Sequence, residues 1–109
     1  MKFDIKFKLN EWDIVSLPNK PAVYFFYFRD CARPCYIGQT INLKRRMLEY
    51  QNGSQIGKKT HNEYLTFFLK SKKNIRDLNL KALYTTKEKV RNLESKYIDE
   101  FRPRYNIKS

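Results

Sequence analysis

Apolar positions along the chain fall into distinct rhythms, and each predicts a different element. Phe3, Ile5, Phe7 and Leu9 alternate with Asp4, Lys6 and Lys8, a period of two that predicts a short strand or extended arm. Trp12 and Leu17 are expected to pack back on the core, and Pro18-Asn19-Lys20-Pro21 is a turn signal. The run Ala22-Val23-Tyr24-Phe25-Phe26-Tyr27-Phe28 is apolar throughout and rich in β-formers, which predicts a central strand buried on both faces. Residues 29–34 then close a hairpin, and residues 35–38 form the returning strand.

After Gly38 the period changes. Leu43, Met47 and Tyr50 fall on one face at about 100° per residue, predicting a helix over 42–52 capped by Thr40 or Asn42. A polar loop over 51–60 leads to a second predicted helix, 61–71, burying Tyr64, Leu65, Phe68 and Leu69. Leu78, Leu80, Ala82, Leu83 and Tyr84 predict a further strand. Thr85 with Glu88 forms a capping box for a last helix over 86–101, whose stripe is Val90, Leu93, Tyr97 and Phe101, widened by Ile98. The order β-β-α-α-β-α indicates a small mixed layer of the α+β kind. It lacks the regular alternation of a doubly wound parallel sheet.

At 109 residues the chain is one domain with room for a core. Its 23 Lys+Arg against 11 Asp+Glu leave a formal charge of +12, which favours a polyanionic partner, most often nucleic acid. No run approaches the roughly 20 apolar residues of a membrane span. The charged opening Met1-Lys2-Phe3-Asp4-Ile5-Lys6 is unlike a signal peptide, so the expected location is cytoplasmic. Two cysteines, Cys31 and Cys35, and the single His61 do not readily assemble a zinc site.

Two charged residues are out of place in these patterns. Arg46 borders the apolar stripe of its helix, near Tyr36 and Gly38, while Lys44 and Arg45 point outward. A guanidinium at the edge of a core beside a strand-end tyrosine suits a phosphate site. Glu94 falls inside the stripe of the last helix, in line with Val90 and Ile98. A carboxylate facing a core is costly unless paired or bound to a cation. It is therefore either half of an ion pair with Arg or Lys, or a ligand for Mg²⁺, which often binds one or two carboxylates plus phosphate and water.

Taken together these residues resemble the GIY-YIG nuclease family. Its two tripeptides correspond to Ala22-Val23-Tyr24 and Tyr36-Ile37-Gly38. Its helical arginine corresponds to Arg46, its late glutamate to Glu94, and its closing asparagine to Asn106 in Pro103-Arg104-Tyr105-Asn106. The resemblance spans about residues 21–107. It implies a small three-stranded, mainly antiparallel sheet flanked by helices, with residues 1–20 an N-terminal extension packing on the core and 21–109 the nuclease domain. It also implies a divalent-metal-dependent endonuclease of weak intrinsic sequence specificity, using Mg²⁺ or Mn²⁺. The alternative is a nucleic-acid-binding module of the same fold without catalysis.

In the implied site Glu94 holds the metal, Arg46 stabilises charge on the phosphate, and Tyr24 or Tyr36 positions or deprotonates water. Tyr50 matches a further site position, with Gly38, Gln39 and Asn106 in support. Ala22 stands where the family usually has Gly, and Gln39 where several relatives carry Lys. Lys44, Arg45, Lys58, Lys59, Lys70, Lys72 and Lys73 are expected to make nonspecific phosphate contacts. The implied partner is DNA, branched or damaged forms included, with a dimer or partner protein as a source of specificity and no membrane.

Overall fold

A computed structural model describes residues 2–8, 16–28, 31–52, 78–103 and 106. The expected helix over 61–71, the loop before it, Trp12, and the cations Lys58, Lys59, Lys70, Lys72 and Lys73 lie outside the described residues. The strands are β1 (Ile5–Lys8), β2 (Ala22–Phe28), β3 (Tyr36–Thr40) and β4 (Leu78–Tyr84), and the helices are α1 (Leu43–Asn52) and α2 (Val90–Phe101).

The unbroken apolar run forms β2 because that strand is covered on every side. It lies between β4 and β3 in a sheet of order β1-β4-β2-β3, antiparallel at each pairing. Residues 22–27 are all buried. Tyr24 and Phe26 join Leu80 and Ala82 on one face, where Leu43 and Met47 of α1 pack with Leu17. Val23, Phe25 and Tyr27 join Ile37 on the other, beneath Val90, Leu93, Tyr97, Ile98 and Phe101 of α2. The Phe25 ring meets Tyr97 edge-on at 5.4 Å, a favoured aromatic geometry.

The α+β class holds, with one strand more than the three expected. β1 pairs with β4 in the register Ile5↔Ala82, Lys6↔Lys81, Phe7↔Leu80, Lys8↔Asn79. The period-two pattern is thus a sheet strand, and Asp4 fixes its start by donating its N–H to Ala82 O (2.9 Å) and accepting the Tyr84 N–H at Oδ2 (2.7 Å).

The opening of α1 is fully bonded. Asn42 Oδ1 accepts the Arg45 N–H at 3.0 Å, and the Thr40 hydroxyl accepts the Asn42 N–H at 3.1 Å. The N–H groups of Leu43 and Lys44 donate to the carbonyls of Lys20 and Pro18. Four orphan donors at a helix start need such partners. Here the turn before β2 supplies two of them, tying α1 to the sheet.

α2 begins later than the expected residue 86. Thr86, rather than Thr85, accepts the Lys89 N–H at its hydroxyl (3.3 Å), and residues 87–89 form a turn before the helix. The helix ends at Arg102, whose left-handed backbone (φ 45°) returns its N–H to Ile98 O at 2.8 Å.

Candidate active site

The site is built around β3, an edge strand of the sheet among the described residues. Tyr24 stands opposite Gly38 in the sheet register, on the same face. A Cβ at Gly38 would collide with Cζ, the hydroxyl oxygen and Cε2 of the Tyr24 ring. The glycine therefore lets the phenol lie directly over the β3 backbone, a close approach no other residue permits. Tyr36 stands opposite Phe26 and stacks on it at 6.1 Å, with its ring centroid 6.4 Å from that of Tyr24. Tyr24 is 2% exposed, whereas Tyr36 is partly open to solvent. The two tripeptides thus bring both tyrosines and Gly38 into one cluster.

Beyond Gly38, β3 runs into a cleft of about 330 Å³ between the starts of α1 and α2. Gln39, Arg45 and Arg46 line one side, and Lys87, Val90 and Arg91 the other. Arg46 is half-buried, as its place at the border of the apolar stripe requires. Arg45 is exposed but faces the cleft, and Lys44 is the half-buried neighbour that does not line it.

Glu94 lies four residues after Val90, about 6 Å further along α2. It is half-buried, and burial raises its carboxyl pKa above the ordinary value while Arg91 partly opposes the rise. The net direction means that desolvation outweighs the nearby guanidinium. Among the described residues no hydrogen bond or ion pair reaches Glu94, so the compensating bridge to Arg or Lys is not made there. No group of three or more His, Cys, Asp or Glu side chains converges among the described residues either.

Asn106 grips β3 from outside. Its Oδ1 accepts the Ile37 N–H at 2.7 Å and its Nδ2 donates to Ile37 O at 2.8 Å. The side-chain amide thus stands where a further strand would bond, and pins the segment between Tyr36 and Gly38. Tyr50 is on α1, and its side chain lies outside the described set. Ala22 is fully buried opposite Thr40, and its backbone is not in the left-handed region. Cys31 and Cys35 are free thiols, the first exposed and the second buried.

Two cleft residues escaped the sequence reading, Lys87 and Arg91. Their signal was present in the spacing. On the helix expected over 86–101, positions 87, 91 and 94 share one face, so the pattern that singled out Glu94 also put two cations beside it, although Lys87 sits in the turn ahead of α2.

This fold and edge-strand site define a class, and residues 20–106 match the GIY-YIG catalytic domain family, to which the chain belongs. The UvrABC system protein C of Aquifex aeolicus is 33% identical over 95 residues, covering 86% of this chain and 15% of that protein. Its counterpart in Neisseria meningitidis is 29% identical over 92 residues, covering 84% of this chain and 13% of that protein. The chain therefore spans less than a sixth of the length of either relative. Among solved structures, the GIY-YIG N-terminal endonuclease domain of UvrC from Thermotoga maritima, bound to magnesium as its catalytic divalent cation, superimposes with a TM-score of 0.65. It is 25% identical, and the match covers 94% of this chain and 100% of that one. No helix among the described residues is long and apolar enough to cross a membrane.

Proposed function

We propose that the chain is a divalent-metal-dependent endonuclease that hydrolyses phosphodiester bonds in DNA with weak intrinsic sequence specificity. The observation that carries this reading is Glu94: a half-buried carboxylate without a hydrogen-bond or ion-pair partner among the described residues, one helical turn from a cleft that holds Arg46. The magnesium-bound UvrC domain, alike in fold, supports it.

The donor set fits a hard cation. Glu94 offers carboxylate oxygens whose burial disfavours the charged form, a penalty that a bound cation would offset. Mg²⁺ or Mn²⁺ held there would supply charge neutralisation at phosphate oxygens and acidify a coordinated water. The other roles belong to the chain. Arg46 donates guanidinium N–H groups to the phosphate, where negative charge grows as the bond breaks. Tyr36, partly open to solvent, is the tyrosine that reaches the attacking water. Tyr24, buried over Gly38, holds the other side of that position. Gln39 adds a neutral amide where the strand enters the cleft, and Asn106 keeps the tyrosine-bearing strand in register.

The test is cleavage of supercoiled plasmid with Mg²⁺ or Mn²⁺, beside EDTA, Arg46→Ala and Glu94→Ala. Cleavage by the unaltered chain and loss in all three controls is the expected result. Cleavage that persists in EDTA or in Glu94→Ala would overturn the metal role. DNA binding without cleavage under any metal would identify a binding module instead.

A further inference from the structure

The cleft holds more positive charge than one phosphate requires. Lys87 and Arg91 face Arg45 and Arg46 across the end of β3, and no acidic side chain lines the cleft among the described residues. Among the described residues Glu49 is the one carboxylate at ion-pair distance from any of the four, with its Oε1 3.8 Å from Arg45 Nε, while Arg91 acts on Glu94 through its charge alone. Lys87 and Arg91 are exposed, so packing does not dictate their type.

At the start of α1 backbone amides cannot take the place of these side chains as anion donors, and at α2 the first of them are already bonded. At the start of α1 the N–H groups of residues 43–45 are bonded to Lys20 O, Pro18 O and Asn42 Oδ1. At the start of α2 those of Lys89 and Val90 are bonded to Thr86. Arg45, Arg46 and Arg91 moreover sit in the first turns of their helices, where the dipole disfavours cations. Such an arrangement works against stability unless an anion enters.

We infer that Lys87 and Arg91 bind the phosphate adjacent to the one held by Arg46. The nucleic-acid backbone then crosses the end of β3 from α1 to the start of α2. The assignment of the first phosphate rests on the nuclease reading above, whereas the second position is measurable without cleavage.

Anisotropy of a fluorescein-labelled DNA duplex in EDTA, over a salt series, tests it on three proteins: the full chain, Lys87→Ala/Arg91→Ala, and Lys2→Ala/Lys6→Ala. The last pair removes the same charge from exposed positions near β1, at the opposite edge of the sheet. Each lost phosphate contact lowers the slope of log K against log salt by about 0.9. The cleft variant, which loses that one phosphate position, is expected to lose ~0.9 from that slope and to bind roughly tenfold more weakly. The β1 variant should lose less than half as much slope. Equal slopes for the two variants would overturn the inference and leave only bulk charge.

With Mg²⁺ present, the cleft variant should show its loss in KM, because a flanking contact is made equally in the ground and transition states. A loss confined to kcat would also overturn the inference. If the unaltered chain cuts nothing, the nuclease reading fails, and the anisotropy comparison still decides the cleft.

Discussion

The edge strands β1 and β3 face the same problem, a row of backbone N–H and C=O groups with no neighbouring strand among the described residues. At β1 the answer is brevity and charge. The strand has four residues, Lys6 is exposed on it, and Asp4 secures its start through the Tyr84 N–H. At β3 the answer is a clasp. Asn106 takes both backbone groups of Ile37, leaving the end of the strand free to meet the cleft. The first solution gives a plain surface, and the second gives a pinned strand with the tyrosine cluster along it and the cationic cleft at its end. Identical backbone needs thus serve stability at one edge and, in the function proposed above, chemistry at the other.

The largest effects are expected where the β3 edge meets the cleft. Arg46→Ala should cost roughly 10²–10³ in kcat, the loss typical of removing one donor to a developing oxyanion. Plasmid cleavage under saturating Mg²⁺ measures it, and a loss below threefold would remove Arg46 from the transition state. Next comes Gly38→Ala. Its methyl enters the Tyr24 ring, and overpacking of this kind costs about 1–3 kcal/mol. Thermal melts should show that loss together with reduced cleavage, since the ring can only escape by leaving its place. Unchanged stability would mean that Tyr24 has another place to go.

A third experiment sets the edges against each other directly. Asn106→Ala removes two hydrogen bonds from β3 and should cost about 1–3 kcal/mol, with a parallel fall in cleavage. Asp4→Ala removes one from the other edge and should cost about 0.5–1.5 kcal/mol, leaving cleavage per folded molecule unchanged. If both variants lose activity only in proportion to stability, the clasp is no more than a structural brace.

How much of this was legible in the sequence follows from how local each signal is. Residues 22–28 announced their central place because seven consecutive apolar side chains have no other stable home. Arg46 and Glu94 stood out because one bordered and the other interrupted a helical stripe visible within two turns. The pairing of β1 with β4 was not legible, since Asp4 and Tyr84 are 80 positions apart and the period of two says nothing about the partner. The Asn106 clasp, 69 positions from Ile37, was open to motif likeness but not to pattern. The start of α2 slipped because Thr85 and Thr86 are both plausible caps, and only the turn over 87–89 decides between them. The cleft was missed because its two cationic walls belong to different helices, brought together across the end of β3.

The smallest expected effect concerns Glu94 itself, and it separates function from stability at one residue. Burial raises its pKa in the folded chain, so folding favours the protonated form. Ionisation then works against the fold. The penalty is absent at pH below the unfolded carboxylate value, grows as pH rises through the interval up to the raised folded value, and is complete above it. Glu94→Gln removes a charge that the fold does not favour. Its melting temperature in EDTA should match the unaltered chain in acid and exceed it slightly near neutral pH. Adding Mg²⁺ should reverse the order, because the cation stabilises only the protein that keeps the carboxylate. Cleavage by the unaltered chain should fall as pH drops through the raised value, where the proton displaces the metal. A Glu94→Gln protein that is less stable than its parent at neutral pH in EDTA would show that the carboxylate is held by partners of its own. It would then count as a structural residue, and the β3 edge would lose its distinction from β1.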